Sequence, residues 1–152
     1  MKQINKYIVE RLHINKDIKS YNYHPKDKSE LKELIDKLIK ERGNEADLND
    51  IDTSEIKDMY CMFYGSIFNG DISKWDVSNV KDMTCMFEKS KFNGDISNWD
   101  VSKVINMERM FHYSEFNGDI SKWHVINVRN MRYMFYGSPL EKNTPKWYKY
   151  YK

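Results

Sequence analysis

FNGDISNWDVSKVINMERMFHYSE, residues 92–115, decides the fold, because the chain repeats it. Twenty-four residues earlier stands FNGDISKWDVSNVKDMTCMFEKSK (68–91), and twenty-four later FNGDISKWHVINVRNMRYMFYGSP (116–139). A weaker first copy, NEADLNDIDTSEIKDMYCMFYGSI, covers 44–67. The residues that recur are large and apolar. Trp75, Trp99 and Trp123 share one position, where the first copy has Ile51. Met59, Met83, Met107 and Met131 share another, as do Met62, Met86, Met110 and Met134, and Phe63, Phe87, Phe111 and Phe135. One unit cannot bury such a face alone, whereas stacked neighbours can, so the same residues form continuous ladders.

Within each unit the hydrophobic period changes. Trp75 and Val77 alternate with Lys74, Asp76 and Ser78, which predicts a short strand. Val80, Met83, Met86 and Phe87 follow at helical spacing, with Ser78 or Asn79 placed to cap a helix. Asn69-Gly70 and its copies mark a turn, where glycine tolerates positive φ. The expected fold class is therefore α/β: a short solenoid of about four 24-residue strand–helix units over 44–138.

Two ends flank this body. At 1–43 a capping helix is expected to begin at Asp27 and stop at Gly43, with Glu30 completing a capping box. Leu31, Leu34, Ile35, Leu38 and Ile39 give it one apolar face. Before it, 6–14 and 18–24 read as a β-hairpin. At 139–152, Trp147, Tyr148, Tyr150 and Tyr151 form an aromatic cap over the last unit, or a tail that binds a partner.

Ile72-x-x-Trp75-x-Val77 fits the L-x-x-L-x-L spacing of leucine-rich repeats. With N-G-D-I-S-x-W-D-V-S-x-V-x-x-M-x-x-M-F, residues 44–138 resemble the BspA-like leucine-rich repeat family, the Mycoplasma-type surface lipoprotein repeats. That resemblance implies stacked strand–helix units and protein or surface binding. It carries over no catalytic residue and no cofactor.

Charge is distributed unevenly around a net +2. Residues 1–43 hold eleven Lys/Arg against seven Asp/Glu, 44–138 ten against fifteen, and 139–152 four against one. An acidic repeat body argues against direct nucleic-acid binding. No apolar run is long enough to span a bilayer, and 1–20 lacks the apolar stretch of a signal peptide, which predicts a cytoplasmic location. Cys61 and Cys85 make neither a disulfide framework nor a zinc site. Equivalent places in adjacent units make a cross-repeat bridge conceivable, and two reduced thiols are the expectation for a cytoplasmic protein.

Two surfaces are candidates for binding a protein partner. On the strand face, Asp52, Asp76, Asp100 and His124 recur once per unit beside Lys74, Asn98 and Lys122. They form a recognition stripe, unless each aspartate is spent on a backbone N–H of its own turn. A second column, Asp47, Asp71, Asp95 and Asp119, follows the Asn-Gly turn and matches no known calcium loop. On the helix face, the positions that vary between copies carry Tyr60, Tyr64, Arg109, Tyr113, Arg132, Tyr133 and Tyr136. Aromatics interleaved with arginine are the usual interface anchors. No histidine falls into a metal spacing or a triad, and no Gly-rich phosphate loop is present, so no enzyme activity, metal or cofactor is expected.

The function expected from these residues is a non-catalytic, intracellular protein–protein interaction module. Its size suits the stand-alone binders that phage or mobile elements encode to block a host enzyme, an anti-CRISPR-like inhibitor being one form. The alternative is a bacterial surface adhesin, which the family resemblance favours.

Overall fold

Each unit closes into a coil through successive turns, not through a strand and a helix. The computed structural model describes residues 20–151. Among them there is one α-helix, α1 (Lys28–Arg42), and two short 3-10 helices, Pro139–Glu141 and Lys146–Tyr151. Among the described residues the β-bridges between coils are isolated and parallel, Asp47↔Asp71 and the series Asp58↔Asp82↔Asn106↔Asn130. The chain is therefore not an α/β leucine-rich-repeat solenoid.

The reason is visible in the segment read above as helical. In the first coil, the N–H groups of Met59, Cys61, Phe63 and Gly65 donate to the carbonyls of Asp82, Thr84, Met86 and Glu88 in the next coil, at 2.8–3.0 Å. The alternate N–H groups of Met62, Tyr64 and Ser66 donate three residues back, to Met59, Cys61 and Phe63. A helix would direct all of these bonds along its own axis. Instead, every second donor leaves the coil. The left-handed residues Cys61 (φ 54°) and Gly65 (φ 62°) make this geometry possible, and Cys85, Lys89, Arg109, Tyr113, Tyr133 and Gly137 repeat it. A left-handed residue at every fourth position interrupts any right-handed helix. The three-residue turns nevertheless return Met83, Met86 and Phe87 to the same inner side, so the spacing imitates an amphipathic helix.

The expected strand fails for a related reason. Trp75 and Val80 donate three residues back, to Ile72 and Val77, so turns flank this stretch. The neighbouring coil is held here by side chains. Trp75, Trp99 and Trp123 donate their indole N–H to the carbonyls of Leu48, Ile72 and Ile96, at 2.9, 3.2 and 3.1 Å. Inside the stack, Phe63, Phe87, Phe111 and Phe135 lie nearly parallel, with centroids 5.5, 5.7 and 5.9 Å apart. Phe68, Phe92 and Phe116 form a second column at 6.3 Å spacing. Such pairs add about 0.5–1.5 kcal/mol each beyond the area they bury. The Trp, Met and Phe ladders are buried throughout.

The Asn-Gly turn also differs from expectation. Gly70, Gly94 and Gly118 are not in the left-handed region. Gly70 is needed for close approach, because a Cβ there would lie 2.1 Å from the Ala46 carbonyl oxygen of the preceding coil.

Both ends of the stack are covered. Asp27 caps α1 by accepting from the N–H groups of Ser29 and Glu30, and Gly43 (φ 90°) ends it. Glu30 accepts from the N–H of Lys26, one residue before the cap. Leu31, Ile35 and Leu38 are fully buried against the first coil. Arg42 grips both carboxylate oxygens of Asp50 at 3.0 Å, tying the helix C-terminus to that coil. Most of the hairpin expected over 6–14 and 18–24 lies outside the described residues. Within them, Tyr23 instead forms a parallel bridge with Ile51.

At the other end, Leu140 is buried and Trp147 and Tyr148 pack on the core. The Trp147 indole donates to the carbonyl of Ile120 at 2.9 Å, the same bond as in the other tryptophans. Trp147 stands twenty-four residues after Trp123. Residues 140–151 are thus an incomplete further coil, with Trp147 and Tyr148 packed over the last full one.

Candidate functional site

The two aspartate columns hold the chain's own turns. Asp52, Asp76 and Asp100 accept from the N–H groups of Ser54, Ser78 and Ser102 at 3.0–3.1 Å. Asp47, Asp71, Asp95 and Asp119 accept likewise from Asn49, Ser73, Ser97 and Ser121 at 2.8–2.9 Å. The Ser97 N–H and hydroxyl hold the Asp95 carboxyl below its usual range, although Asp71 and Asp119 oppose this. Like charges in register are tolerated because each is bonded locally. Lys74, Asn98, Lys122 and His124 are exposed beside these turns. Asp52 has a further partner, His24 Nδ1 at 3.3 Å. No group of three or more metal-ligating side chains assembles among the described residues.

The turn face is different, because its side chains satisfy nothing the fold requires. Tyr60, Tyr64, Tyr113, Tyr133 and Tyr136 are 44–53% exposed. Left-handed turns place these variable residues on one side of successive coils while Met and Phe point inward. The structure gathers Arg109, Tyr113, Arg132, Tyr133 and Tyr136 into a single cluster. Arg109 and Arg132 lie over the Tyr133 ring, 5.8 and 5.0 Å from its centroid. Tyr136 meets Tyr113 edge-on at 5.5 Å and Tyr133 at 6.3 Å. The hydrogen bond to Tyr136 pushes the Tyr113 phenol up, which keeps it neutral.

Tyr60 and Tyr64 lie nearer the N-terminal end of the same face, each with a cation. Lys28 of α1 sits 4.5 Å over the Tyr60 ring, and Lys89 lies 5.7 Å from that of Tyr64. Lys89 is also close enough to Tyr113 to act on its phenol. The strip thus runs from α1 to the last full coil, with Lys28, Lys89, Arg109 and Arg132 alternating with tyrosines. Sequence reasoning missed Lys28 and Lys89. The signal for Lys89 was available, since it stands where the first and last copies have Gly65 and Gly137.

Two further positions that vary between copies are turned inward, Glu88 and His112. Glu88 is buried, and His112 Nδ1 lies 2.9 Å from its Oε1. Burial raises the Glu88 carboxyl, but hydrogen bonds with Cys85 and His112 outweigh it and leave it below its usual range. His112 stacks at 5.7 Å on Tyr136, so this pair is the floor of the tyrosine cluster. Cys61 and Cys85 are free thiols. Burial, and then the bond to Glu88, push the Cys85 thiol far up. A thiol held protonated is a poor nucleophile, so Cys85, Glu88 and His112 do not form an activated cysteine site.

Among the described residues, no helix is long and apolar enough to cross a membrane. Residues 29–147 match a family model described as "Mycoplasma protein of unknown function, DUF285". No curated protein and no solved structure matches the chain.

Proposed function

Since the chain belongs to the DUF285 family, whose description assigns no function, we propose a role from its own surface: a non-catalytic protein-binding module that contacts its partner through the tyrosine–cation strip. One observation carries this. Five half-exposed tyrosines share one face with Lys28 of α1 and with Lys89, Arg109 and Arg132, and those within the coils stand where other copies have Gly, Cys, Glu, Thr or His. Tyr and Arg supply large contact area at low entropic cost and dominate the energetics of interfaces. Their mutual cation–π contacts hold the side chains in place before a partner arrives.

Affinity capture from a lysate of the source organism tests the proposal. The triple variant R109A/Y133A/Y136A should lose the captured protein, whereas K74E/K122E on the other face should keep it. These side chains are exposed, so circular dichroism should show both variants folded. Retention of the partner by the triple variant would refute the role of the strip.

A second reading, a surface adhesin, is favoured by the likeness of the repeat motif to BspA-like surface repeats. Cell fractionation separates it from an intracellular binder or inhibitor.

A further inference from the structure

A groove of about 480 Å³ opens between the third and fourth coils, with Lys81, Lys103 and Arg129 around Ile105 and Ile126. The two isoleucines depart from the repeat. Where Ile126 stands, the other copies have Ser54, Ser78 and Ser102. Where Ile105 stands, they have Lys57, Lys81 and Arg129. The backbone here is the regular one. Ile105 N–H donates to the Lys81 carbonyl at 2.8 Å, as Lys81 does to Lys57 and Arg129 to Ile105. The coil therefore closes equally well with Ser and Lys, and packing does not call for isoleucine. Yet Ile126 is 85% exposed and Ile105 40%. Leaving such a side chain in water forgoes the stabilisation its burial would bring.

The rim supplies the second half of the recognition chemistry. Three cations line the groove and no Asp or Glu does. Lys103 is anchored at the rim by donating to Asn79 Oδ1 at 2.7 Å. This basic pocket interrupts a repeat body that is acidic as a whole.

We propose that the groove binds an acidic polypeptide segment carrying a aliphatic side chain: the aliphatic group covers Ile105 and Ile126, and flanking carboxylates pair with Lys81, Lys103 and Arg129. Charge complementarity selects an anionic occupant, and the apolar floor selects among anions. A nucleic acid would offer phosphates but no aliphatic anchor, and the groove has no aromatic platform for its bases. Two isoleucines cover one side chain, not a lipid acyl chain. No lining residue belongs to the tyrosine–cation strip, so the groove and the strip can be tested apart.

Fluorescence anisotropy with a labelled peptide of alternating Asp, Glu and Leu tests the inference on the full chain. Wild type should bind it saturably, and I126S, which removes the apolar contact without changing charge, should weaken binding at least tenfold. This substitution installs the serine that the other coils carry at the same position, so folding is retained. A peptide with Leu replaced by Ser should bind wild type as weakly as the parent peptide binds I126S. Y133A/Y136A should bind the parent peptide like wild type, even if that variant loses a partner captured through the strip. Absence of saturable binding, or equal binding of the Leu and Ser peptides, would overturn the proposal. So would loss of binding in Y133A/Y136A. Binding of oligothymidylate or anionic phosphatidylglycerol vesicles to wild type and I126S alike, without peptide binding, would overturn it in favour of a charge-only surface.

Discussion

Gly65 and Gly70 are five residues apart and do opposite jobs. Gly65 is left-handed (φ 62°) with open space where a Cβ would go. Gly70 has no such φ, but its missing Cβ is what lets Ala46 of the previous coil approach. The sequence marks the Asn-Gly pair as a turn and suggests a conformational reason for the glycine. The actual reason is steric and comes from another coil, so no local signal carries it. Replacing Gly70 with Ala should destabilise the chain by about 3 kcal/mol, because the obstructing atoms are backbone. Gly65→Lys reproduces Lys89, which adopts φ 56° at the equivalent place, and should cost only roughly 1–2 kcal/mol. Urea denaturation of the two variants checks this, and a larger loss for Gly65→Lys would reject the assignment. The aspartates teach the same lesson. Their recurrence is plain in the sequence, but only the geometry shows each carboxylate occupied by a serine or asparagine N–H two residues on.

The elements were legible to different degrees. The capping helix α1 was readable in its bounds and its buried face, because Asp27, the apolar stripe and Gly43 are local signals of one helix, while Glu30 accepts from Lys26 and not from the Asp27 N–H that a capping box uses. The coils were not. Met83, Met86 and Phe87 satisfy helical spacing and consecutive turns equally well, since both return every third or fourth residue to one side. What separates them is the destination of the backbone donors, which lies in the next coil. The terminal half-coil was legible in principle. Leu140 and Trp147 follow Phe116 and Trp123 at the repeat distance, but Glu-Lys-Asn replaces the Asn-Gly-Asp turn and hides the match. Trp147→Ala should therefore act as a loss from the core ladder. A half-buried indole that also donates to Ile120 predicts a cost of roughly 2–3 kcal/mol and a lower Tm. Thermal melts would show it, and an unchanged Tm would mean that the segment does not cap the stack.

At the scale of the whole molecule, the stack rests on many ionised carboxylates. Hydrogen bonds from Ser73, Ser97, Ser102 and Ser121 hold Asp71, Asp95, Asp100 and Asp119 below the usual range, and Arg42 does so for Asp50. A carboxyl whose folded value is depressed adds stability above its unfolded value, and that stability is lost as pH falls through the folded one. Tm should accordingly be flat from about pH 7 to 5 and fall once the pH drops below about 4. A Tm that rises on acidification would contradict these turn bonds. The site shows a similar division between what repeats and what does not. The tyrosines and arginines of the strip could be named from the variable positions, while the burial of Glu88 beneath His112 could not, because it depends on two coils meeting. By itself, the sequence determined the period, the register of the Trp, Met and Phe ladders and the helix that covers one end, since a repeated apolar pattern has to be buried against its own copies. Only the tertiary structure decided the conformation within each unit. A backbone donor chooses between its own turn and the neighbouring coil according to what that coil presents, and the left-handed residues that allow the choice, Cys, Lys, Arg and Tyr among them, carry no mark of it in their identity.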